Sequence, residues 1–235
     1  MRAAPRGPAP LSVVIPVRDE ARALPPLLAD LATAPELVAE VLVVDGGSRD
    51  ASAAAAALAG ARVLASPPGR GGQLRCGVAA SRAAWLLLLH GDVRLPPDWA
   101  ASVAAAIGRG ESRAWAFHLS IAGRDPALRL VELGVTLRSR WRAQPYGDQG
   151  LLLSRALYER AGGIAPLPLM EDLEFVERLR RLAPIGLLPG ALQVSDRRWR
   201  RLGVWQTALA NARLRRAWRR GEPAERLASR YNRGA

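Results

Sequence analysis

Acidic residues follow three apolar runs that read as buried strands. Asp45 ends EVLVVD, Asp92 comes two residues after His90 at the end of WLLLLHGD, and Arg18-Asp19-Glu20 follows LSVVIPV. Ligands of open α/β sheets bind just beyond the carboxyl ends of the strands, so these acids are expected to share one crevice. A carboxylate there can hold a divalent cation and, through it, phosphate oxygens. The alternative for each acid taken singly is that it closes a turn.

A glycine-rich segment, GRGGQ at 69–73, offers backbone N–H groups and the guanidinium of Arg70. Both groups suit phosphate oxygens. The segment does not match the dinucleotide-binding fingerprint, because Leu74 occupies the last glycine position, and it is no P-loop, because no lysine follows. A nucleotide-binding role is therefore possible without either of those two enzyme classes.

Glu171 and Asp172 stand together at the start of a predicted helix, in PLMED. Acids in a first helical turn stabilise the helix dipole by about 0.3–1 kcal/mol, which explains one of them well. A carboxylate placed there can also act as a general base toward a nucleophile. Spacing alone leaves both interpretations open.

Strand patterns alternate with helix patterns through about residue 108, which predicts βαβ units and a parallel sheet. The fold class is therefore α/β, Rossmann-like, with helices on both faces of a mostly parallel sheet and a less regular second half. Strands are predicted at 11–17, 40–45, 61–66, 85–90, 115–121 and 150–153, with broken extended structure at 185–194. Helices are predicted after 20 and at 50–59, 69–81, 126–140, 154–161, 171–182 and 202–220.

The chain of 235 residues is long enough for one domain with a good core. Its basic residues are all arginine, and the formal net charge is +13. Residues 1–174 hold 19 arginines against 17 acids, whereas 175–235 hold 15 against 4. An anionic membrane surface, an acidic ligand or simple solvation could use this C-terminal excess. One cysteine and two histidines exclude a disulfide framework and a Cys/His zinc cluster.

The ends of the chain carry separate expectations. Residues 1–10, rich in proline, alanine and arginine, are predicted to be a disordered lead-in, and they lack the apolar core of a signal peptide. No window approaches 18 uncharged apolar residues, so we expect a cytoplasmic protein. The arginine-studded helix 202–220 either lies on anionic lipid or packs on the domain with a solvated face, and 221–235 is expected to be a tail.

Six motifs in this order, VVIPVRDE, VLVVDGGSRD, LLLLHGD, PYGDQG, LMEDLEF and RRW, resemble the inverting family-2 glycosyltransferases of GT-A fold, in particular small soluble bacterial members. The resemblance runs from about Leu11 to about Asn211. It implies a single GT-A domain over 11–220, with a nucleotide-binding half at about 11–108, an acceptor half at about 109–200 and the basic helix at 202–220.

The resemblance also implies roles for individual residues. Asp92 is expected to bind Mn²⁺ or Mg²⁺. The first Asp of the family's Asp-x-Asp motif is His90 here, so either His90 contributes or metal binding is weaker. Asp172 is expected to be the catalytic base, supported by Glu171. Donor contacts are expected from Pro16, Arg18, Glu20, Asp45, Arg70 and Gln73, and acceptor or loop contacts from Tyr146, Asp148, Gln149, Arg198 and Trp199.

The implied reaction moves a sugar from a nucleotide-diphosphate-sugar to an acceptor hydroxyl of a small or lipid-linked molecule. No nucleic acid is expected as a partner, and peripheral membrane contact through the basic helix stays open. Two alternatives remain. A sugar-phosphate nucleotidylyltransferase usually has a glycine-rich loop with Arg and Lys after the first strand, which is missing here. A basic nucleic-acid-binding protein would leave the strand-end acids unexplained.

Overall fold

One eight-stranded sheet organises the part of the chain that the computed structural model describes, residues 9–233. The strand order is β3-β2-β1-β4-β7-β6-β8-β5. The strands are β1 (Leu11–Val17), β2 (Val38–Asp45), β3 (Arg62–Ala65), β4 (Trp85–Leu88), β5 (Val93–Arg94), β6 (Ala114–Ile121), β7 (Leu151–Ser154) and β8 (Ile185–Val194). The sheet is mixed, because β7 is antiparallel to β4 and β6, and β5 is antiparallel to β8.

Helices cover both faces of this sheet. They are α1 (Leu24–Ala32), α2 (Ser52–Leu58), α3 (Arg70–Ala80), α4 (Trp99–Ile107), α5 (Pro126–Arg142), α6 (Arg155–Arg160), α7 (Glu171–Leu182), α8 (Arg197–Leu202), α9 (Val204–Arg219) and α10 (Ala224–Arg233). A 3-10 turn at Gly147–Gln149 precedes β7. The α/β class and the mostly parallel nucleotide half are confirmed. Within residues 9–233, no helix combines the length and apolar character needed to cross a bilayer.

The leucine run of β4 is buried on both faces, as its lack of polar alternation predicts. Leu87 and Leu89 join the core cluster that includes α1 and α4, while Leu86 and Leu88 join the cluster that includes α3 and α7. β4 ends at Leu88, two residues earlier than predicted. His90 and Asp92 consequently lie beyond the strand, at its carboxyl end.

Strand register places the ends of the central strands at one edge. Val17 pairs with Asp45, the last residue of β2, and Val14 pairs with Leu88, the last residue of β4. Since β7 runs antiparallel to β4, it begins at this same edge. The turn before β7 therefore meets the residues that follow β1, β2 and β4, and this edge carries the site.

The C-terminal region differs from the sequence prediction in two respects. The single helix predicted at 202–220 is broken at Gly203, so α8 and α9 are separate helices. Gly203 has a φ of +81°, which glycine adopts readily because it has no Cβ. The tail predicted at 221–235 contains α10 instead. Its apolar side, centred on the fully buried Leu227, packs against Leu169 and Leu214. Residues 1–8, most of the predicted lead-in, lie outside the described residues.

Candidate active site

A cleft of about 360 Å³ opens at the carboxyl edge of the sheet, between the strand ends and the C-terminal helices. It is lined by both halves of the chain. Of the residues predicted from sequence, it brings together Arg70, His90, Asp92, Tyr146, Asp148, Asp172, Arg198 and Trp199.

Asp172 is held in a fixed position at the start of α7. Its Oδ2 accepts a hydrogen bond from the backbone N–H of Gly147 at 2.7 Å, and its Oδ1 accepts one from Leu173 N at 2.7 Å. Met170, two residues earlier, has a left-handed backbone with φ +65°, a conformation that is uncommon for a residue with a side chain. Such strain is characteristic of sites where the surrounding structure imposes a functional geometry.

Glu171 lies beneath the cleft, with 1% of its surface exposed. Arg70 Nε is 3.1 Å from Glu171 Oε1, but neither carboxylate oxygen accepts a hydrogen bond, so the contact is a charge pair without hydrogen-bond geometry. Burial raises the pKa of Glu171, and the Arg70 charge opposes that rise. Gly71, beside Arg70 in α3, has no room for a Cβ, which would collide with the carbonyl oxygen of Ala165.

His90 contacts the same arginine, with Nε2 3.0 Å from Arg70 Nη1. Burial, reinforced by the Arg70 charge, lowers the pKa of His90 to about 4, so the ring is neutral at pH 7. A neutral Nε2 that faces a guanidinium accepts its hydrogen bond. That lone pair is then engaged by Arg70, and ligation of a metal through Nε2 would require Arg70 to move. A role for His90 as a metal ligand stays a prediction.

Arg197 links two strand ends across the mouth of the cleft. Its Nη2 donates to Glu20 Oε2 at 2.7 Å and lies 3.8 Å from Asp92 Oδ2. Burial raises the pKa of Glu20, and the hydrogen bond from Arg197 opposes that rise. Arg197 belongs to the RRW motif, but only Arg198 and Trp199 of that motif are predicted site residues. Its position next to Arg198 is the signal in the sequence that could have identified it.

Two predicted donor-binding residues hold the strand ends instead of facing the cleft. Gln73 is buried, and its amide nitrogen donates to Val17 O at 2.9 Å and Val44 O at 2.7 Å. The carboxylate of Asp45 accepts hydrogen bonds from Ser48, including its N–H at 3.1 Å, and so closes the turn after β2. These contacts realise the turn-closing alternative at Asp45, while donor contact by either residue stays a prediction.

The remaining predicted residues lie away from the cleft lining. Pro16 is buried within β1, and Arg18 is exposed in the following loop. Gln149, predicted to contact the acceptor, is fully buried, donates to Phe117 O at 2.8 Å and accepts from Ser139 Oγ at 2.9 Å. Since its amide is consumed by these core contacts, Gln149 positions the turn and does not reach the cleft. Contact of Gln149 with the acceptor stays a prediction.

The outer wall of the cleft comes from α9 and α10, which the sequence reading did not connect with the site. Thr207, Asn211, Leu214 and Arg215 of α9 line it together with Tyr231 of α10. Their spacing, four and three residues apart along α9, is that of one helix face. Nothing local in the sequence indicates that this face closes over the acids.

The sequence-family comparison decides the family. The model of glycosyl transferase family 2 matches residues 12–157, which include β1 to β7. The chain belongs to glycosyl transferase family 2. No curated protein sequence matches this glycosyltransferase. Glycosyl transfer is thereby favoured over the nucleotidylyltransferase and the nucleic-acid-binding alternatives.

Solved structures share the fold of the glycosyltransferase. Glucosyl-3-phosphoglycerate synthase from Mycobacterium tuberculosis, solved with Mn²⁺ and UDP-glucose, is 22% identical with a TM-score of 0.62, over 85% of this chain and 76% of that chain. S. aureus TarS 1–349 is 16% identical with a TM-score of 0.64, over 80% and 61%. A mycobacterial protein is 25% identical with a TM-score of 0.57, over 79% and 64%. The glycosyltransferase therefore has the GT-A fold.

The side chains of the cleft suit a cation that is coordinated partly by the protein and partly by a bound ligand. They do not surround a cation completely. Among residues 9–233, no three His, Cys, Asp or Glu side chains form a group that could hold a metal by themselves. Asp92 nevertheless faces the cleft at a strand end with 31% of its side chain exposed. One or two carboxylates together with substrate phosphates are the usual protein site for Mg²⁺. Asp92 suits that arrangement.

Proposed function

We propose that the glycosyltransferase moves a sugar from a nucleoside-diphosphate donor to an acceptor hydroxyl with inversion, using Asp172 as the general base and Asp92 as the metal ligand. The observation that carries this proposal is the Asp172 carboxylate, fixed by Gly147 N–H inside the cleft that Asp92 also lines. Two acids that line one cleft can serve the acceptor and the leaving group separately. The structural neighbour solved with Mn²⁺ and UDP-glucose supports the donor class.

Asp172 takes the proton of the acceptor hydroxyl as its oxygen attacks the anomeric carbon of the donor. The new C–O bond forms on the face opposite the leaving group, and the bond to the diphosphate oxygen breaks, so the nucleoside diphosphate leaves with the electron pair. General-base assistance of this kind contributes about 10²–10⁴-fold in rate. Gly147 N–H fixes Oδ2 of Asp172, the proposed base. The acceptor itself is positioned by other groups of the cleft.

The leaving group needs positive charge beside the strand ends. Asp92 would hold a divalent cation, Mn²⁺ or Mg²⁺, which would neutralise charge on the diphosphate. Arg197, which already bridges Glu20 and Asp92, and Arg70, which lies in the cleft, add guanidinium donors suited to phosphate. Glu171 counterbalances Arg70 from below and thereby fixes where that guanidinium stands.

The proposal includes contact with an anionic membrane surface. Six of the large apolar side chains that are exposed lie on α5 and α9, and we call them the outer helix face: Leu130, Leu133, Leu137, Trp141, Trp205 and Leu209. The two helices contact each other through the cluster of Val131, Val135 and Val204. Exposed arginines accompany the face on both helices, among them Arg140, Arg142, Arg213 and Arg216. Apolar side chains with arginines around them are the features of a helix that binds anionic lipid.

A thermal-shift series tests the donor and metal assignments together. UDP-, GDP- and dTDP-sugars are added with Mn²⁺, with Mg²⁺ or with EDTA. We expect one nucleotide to raise the Tm by several degrees only when a divalent cation is present, because binding to the folded state stabilises it. Asp92→Asn should lose most of that shift. A shift that is equal in EDTA, or equal in Asp92→Asn, would contradict the metal role.

A further inference from the structure

Arginines in the outer part of the cleft lack acidic partners. Among residues 9–233, no carboxylate lies within ion-pair distance of Arg138, Arg198 or Arg215. In contrast, Arg70 and Arg197, on the strand side of the cleft, each have a glutamate partner. The cleft is thus charge-balanced near the strand ends and carries uncompensated positive charge toward α9 and α10.

The unpaired arginines are held in place by aromatic rings. The guanidinium of Arg198 lies 3.9 Å from the ring centre of Tyr231. Those of Arg138 and Arg215 lie 3.7 and 5.7 Å from the ring centre of Tyr146. Stacking uses the flat face of a guanidinium and leaves the N–H groups in its plane available for oxygen. Arg138, which does not line the cleft, donates to Gln144 O and Gln149 Oε1. Arg198 and Arg215 line the cleft and are the arginines that can bind a ligand there.

Polar atoms beside these arginines are buried without a hydrogen-bond partner. They are the Tyr146 hydroxyl, Asp148 Oδ1, Arg198 Nε and the Thr207 hydroxyl, and all four residues line the cleft. Buried polar atoms in native proteins are hydrogen-bonded as a rule, so a cluster without partners calls for a ligand or ordered water. We call Tyr146, Asp148, Arg198, Thr207 and Arg215 the outer subsite.

Asp148 is the one carboxylate of the outer subsite, and it does not neutralise the arginines. Its Oδ1 makes no hydrogen bond, and burial raises its pKa. The nearby Arg138, Arg70 and Arg215 oppose that rise but do not lie within ion-pair distance of it. Asp148 Oδ1 is therefore open to a hydrogen bond from a hydroxyl group of a ligand.

We propose that the outer subsite binds an anionic group of the acceptor, a phosphate monoester or a carboxylate, while the hydroxyl to be glycosylated points at Asp172. This inference rests on the proposed function, because it assigns the strand side of the cleft to the donor. The anionic group can belong to a small metabolite or to a lipid headgroup, since the arginines recognise the phosphate or carboxylate itself.

Calorimetry on the full-length protein loaded with UDP and Mn²⁺ tests the proposal. Glycerol 1-phosphate and inorganic phosphate are the anionic probes, and glycerol is the neutral control. We expect both anions to bind and glycerol to show no binding. Arg215→Gln and Arg198→Gln should each weaken anion binding by about tenfold, the loss of one charge-assisted contact, while UDP binding stays within twofold. Arg226→Gln, an exposed arginine of α10 outside both the cleft lining and the outer helix face, should bind like the parent.

The outcomes separate this inference from the proposed function. If UDP binds with Mn²⁺ but no anion binds, or if Arg198→Gln and Arg215→Gln bind anions like Arg226→Gln, the outer subsite is wrong and the donor assignment stands. If the glutamine variants lose UDP instead of phosphate, these arginines serve the donor and the inference is overturned. If UDP itself fails to bind, the proposed function fails, and phosphate titration of the nucleotide-free protein still decides the subsite.

A vesicle-binding experiment distinguishes a lipid headgroup from a small metabolite as the source of the anionic group. Vesicles of phosphatidylcholine with and without phosphatidic acid replace the soluble probes. Binding that needs phosphatidic acid and is lost in Arg215→Gln, but not in Arg226→Gln, assigns the subsite to a lipid phosphate. If soluble phosphate binds but the two variants bind vesicles equally, the outer subsite is assigned to a free metabolite.

Discussion

Gly147 has no room for a side chain beside Asp172, the proposed base. Its N–H binds Asp172, and a Cβ built on it would lie 2.6 Å from His90 Nε2 and 3.2 Å from Asp172 Oδ2. Gly147→Ala must therefore displace the imidazole and disturb the carboxylate. Since misplacing a reacting group by about 1 Å can cost about 10²-fold, we expect release of UDP from the bound donor to slow by about 10–100-fold. Overpacking should also cost about 1–3 kcal/mol in the free energy of unfolding.

Gly134→Ala is the matched control for this change. Gly134 lies within α5, and a Cβ there would meet no atom within 4 Å. Replacing a helical glycine by alanine should stabilise the protein by about 0.5–1 kcal/mol and leave turnover unchanged. Urea unfolding and an assay of UDP release measure both effects. Equal turnover in the two variants would show that the contact between Gly147 and Asp172 does not matter for the reaction.

At the residue scale, the sequence predicted which acidic residues line the cleft more reliably than it predicted the role of each. Asp92 lines the cleft because the register of the parallel strands places the end of β4 there, and Asp172 lines it because the turn before β7 binds it through Gly147 N–H. Gln73 and Gln149 are also predicted site residues, but their amides donate to backbone carbonyls. A motif shows that a side chain is needed, whereas only the tertiary structure shows which atoms it contacts.

At the element scale, α10 stabilises the segment that presents the proposed base. Leu227, fully buried, packs with Leu169 and Leu214, and Met170 joins the same cluster just before Glu171. Only a tail is predicted from the sequence at 221–235, where the structure has α10 with its apolar face buried. Burial of that face against a distant loop is a long-range contact, which local periodicity does not reveal.

The outer helix face gives a prediction at the same scale. Trp141→Ser with Trp205→Ser removes two exposed indoles, which are 77% and 63% exposed, and leaves every arginine in place. If the face binds a bilayer, loss of this apolar contact should lower the fraction that sediments with phosphatidylglycerol vesicles by about tenfold. The remaining arginines, at about 1 kcal/mol each near the surface, should retain weak, salt-sensitive binding.

Leu58→Ser with Leu182→Ser is the control pair, because both leucines are exposed but lie on α2 and α7. This pair should sediment like the parent. Similar sedimentation of both double variants, or equal binding to neutral vesicles, would speak against lipid contact through this face. A parent protein that dimerises in solution, with dimers lost in the tryptophan variant, would identify the face as an interface between two copies.

At the scale of the whole molecule, the cleft combines acids from both halves with arginines that come mostly from the C-terminal part. Asp92 follows β4 and Asp172 lies at the start of α7, whereas Arg197, Arg198 and Arg215 lie beyond residue 175. Composition indicates this excess of arginine, since residues 175–235 hold 15 arginines against 4 acids. The nucleotide half could be predicted because βαβ units repeat a simple pattern. The second half could not, because its helices α8 to α10 are positioned by contacts between distant segments.

The central claim is that Asp172 acts on the acceptor and leaves donor binding to other groups. Asp172→Asn keeps the size of the side chain but removes its basicity, so UDP should bind with Mn²⁺ within about twofold of the parent by calorimetry. Release of UDP from the donor sugar should fall by about 10²–10⁴-fold, the contribution of a general base. A variant that loses binding and turnover together, or keeps both, would contradict the account.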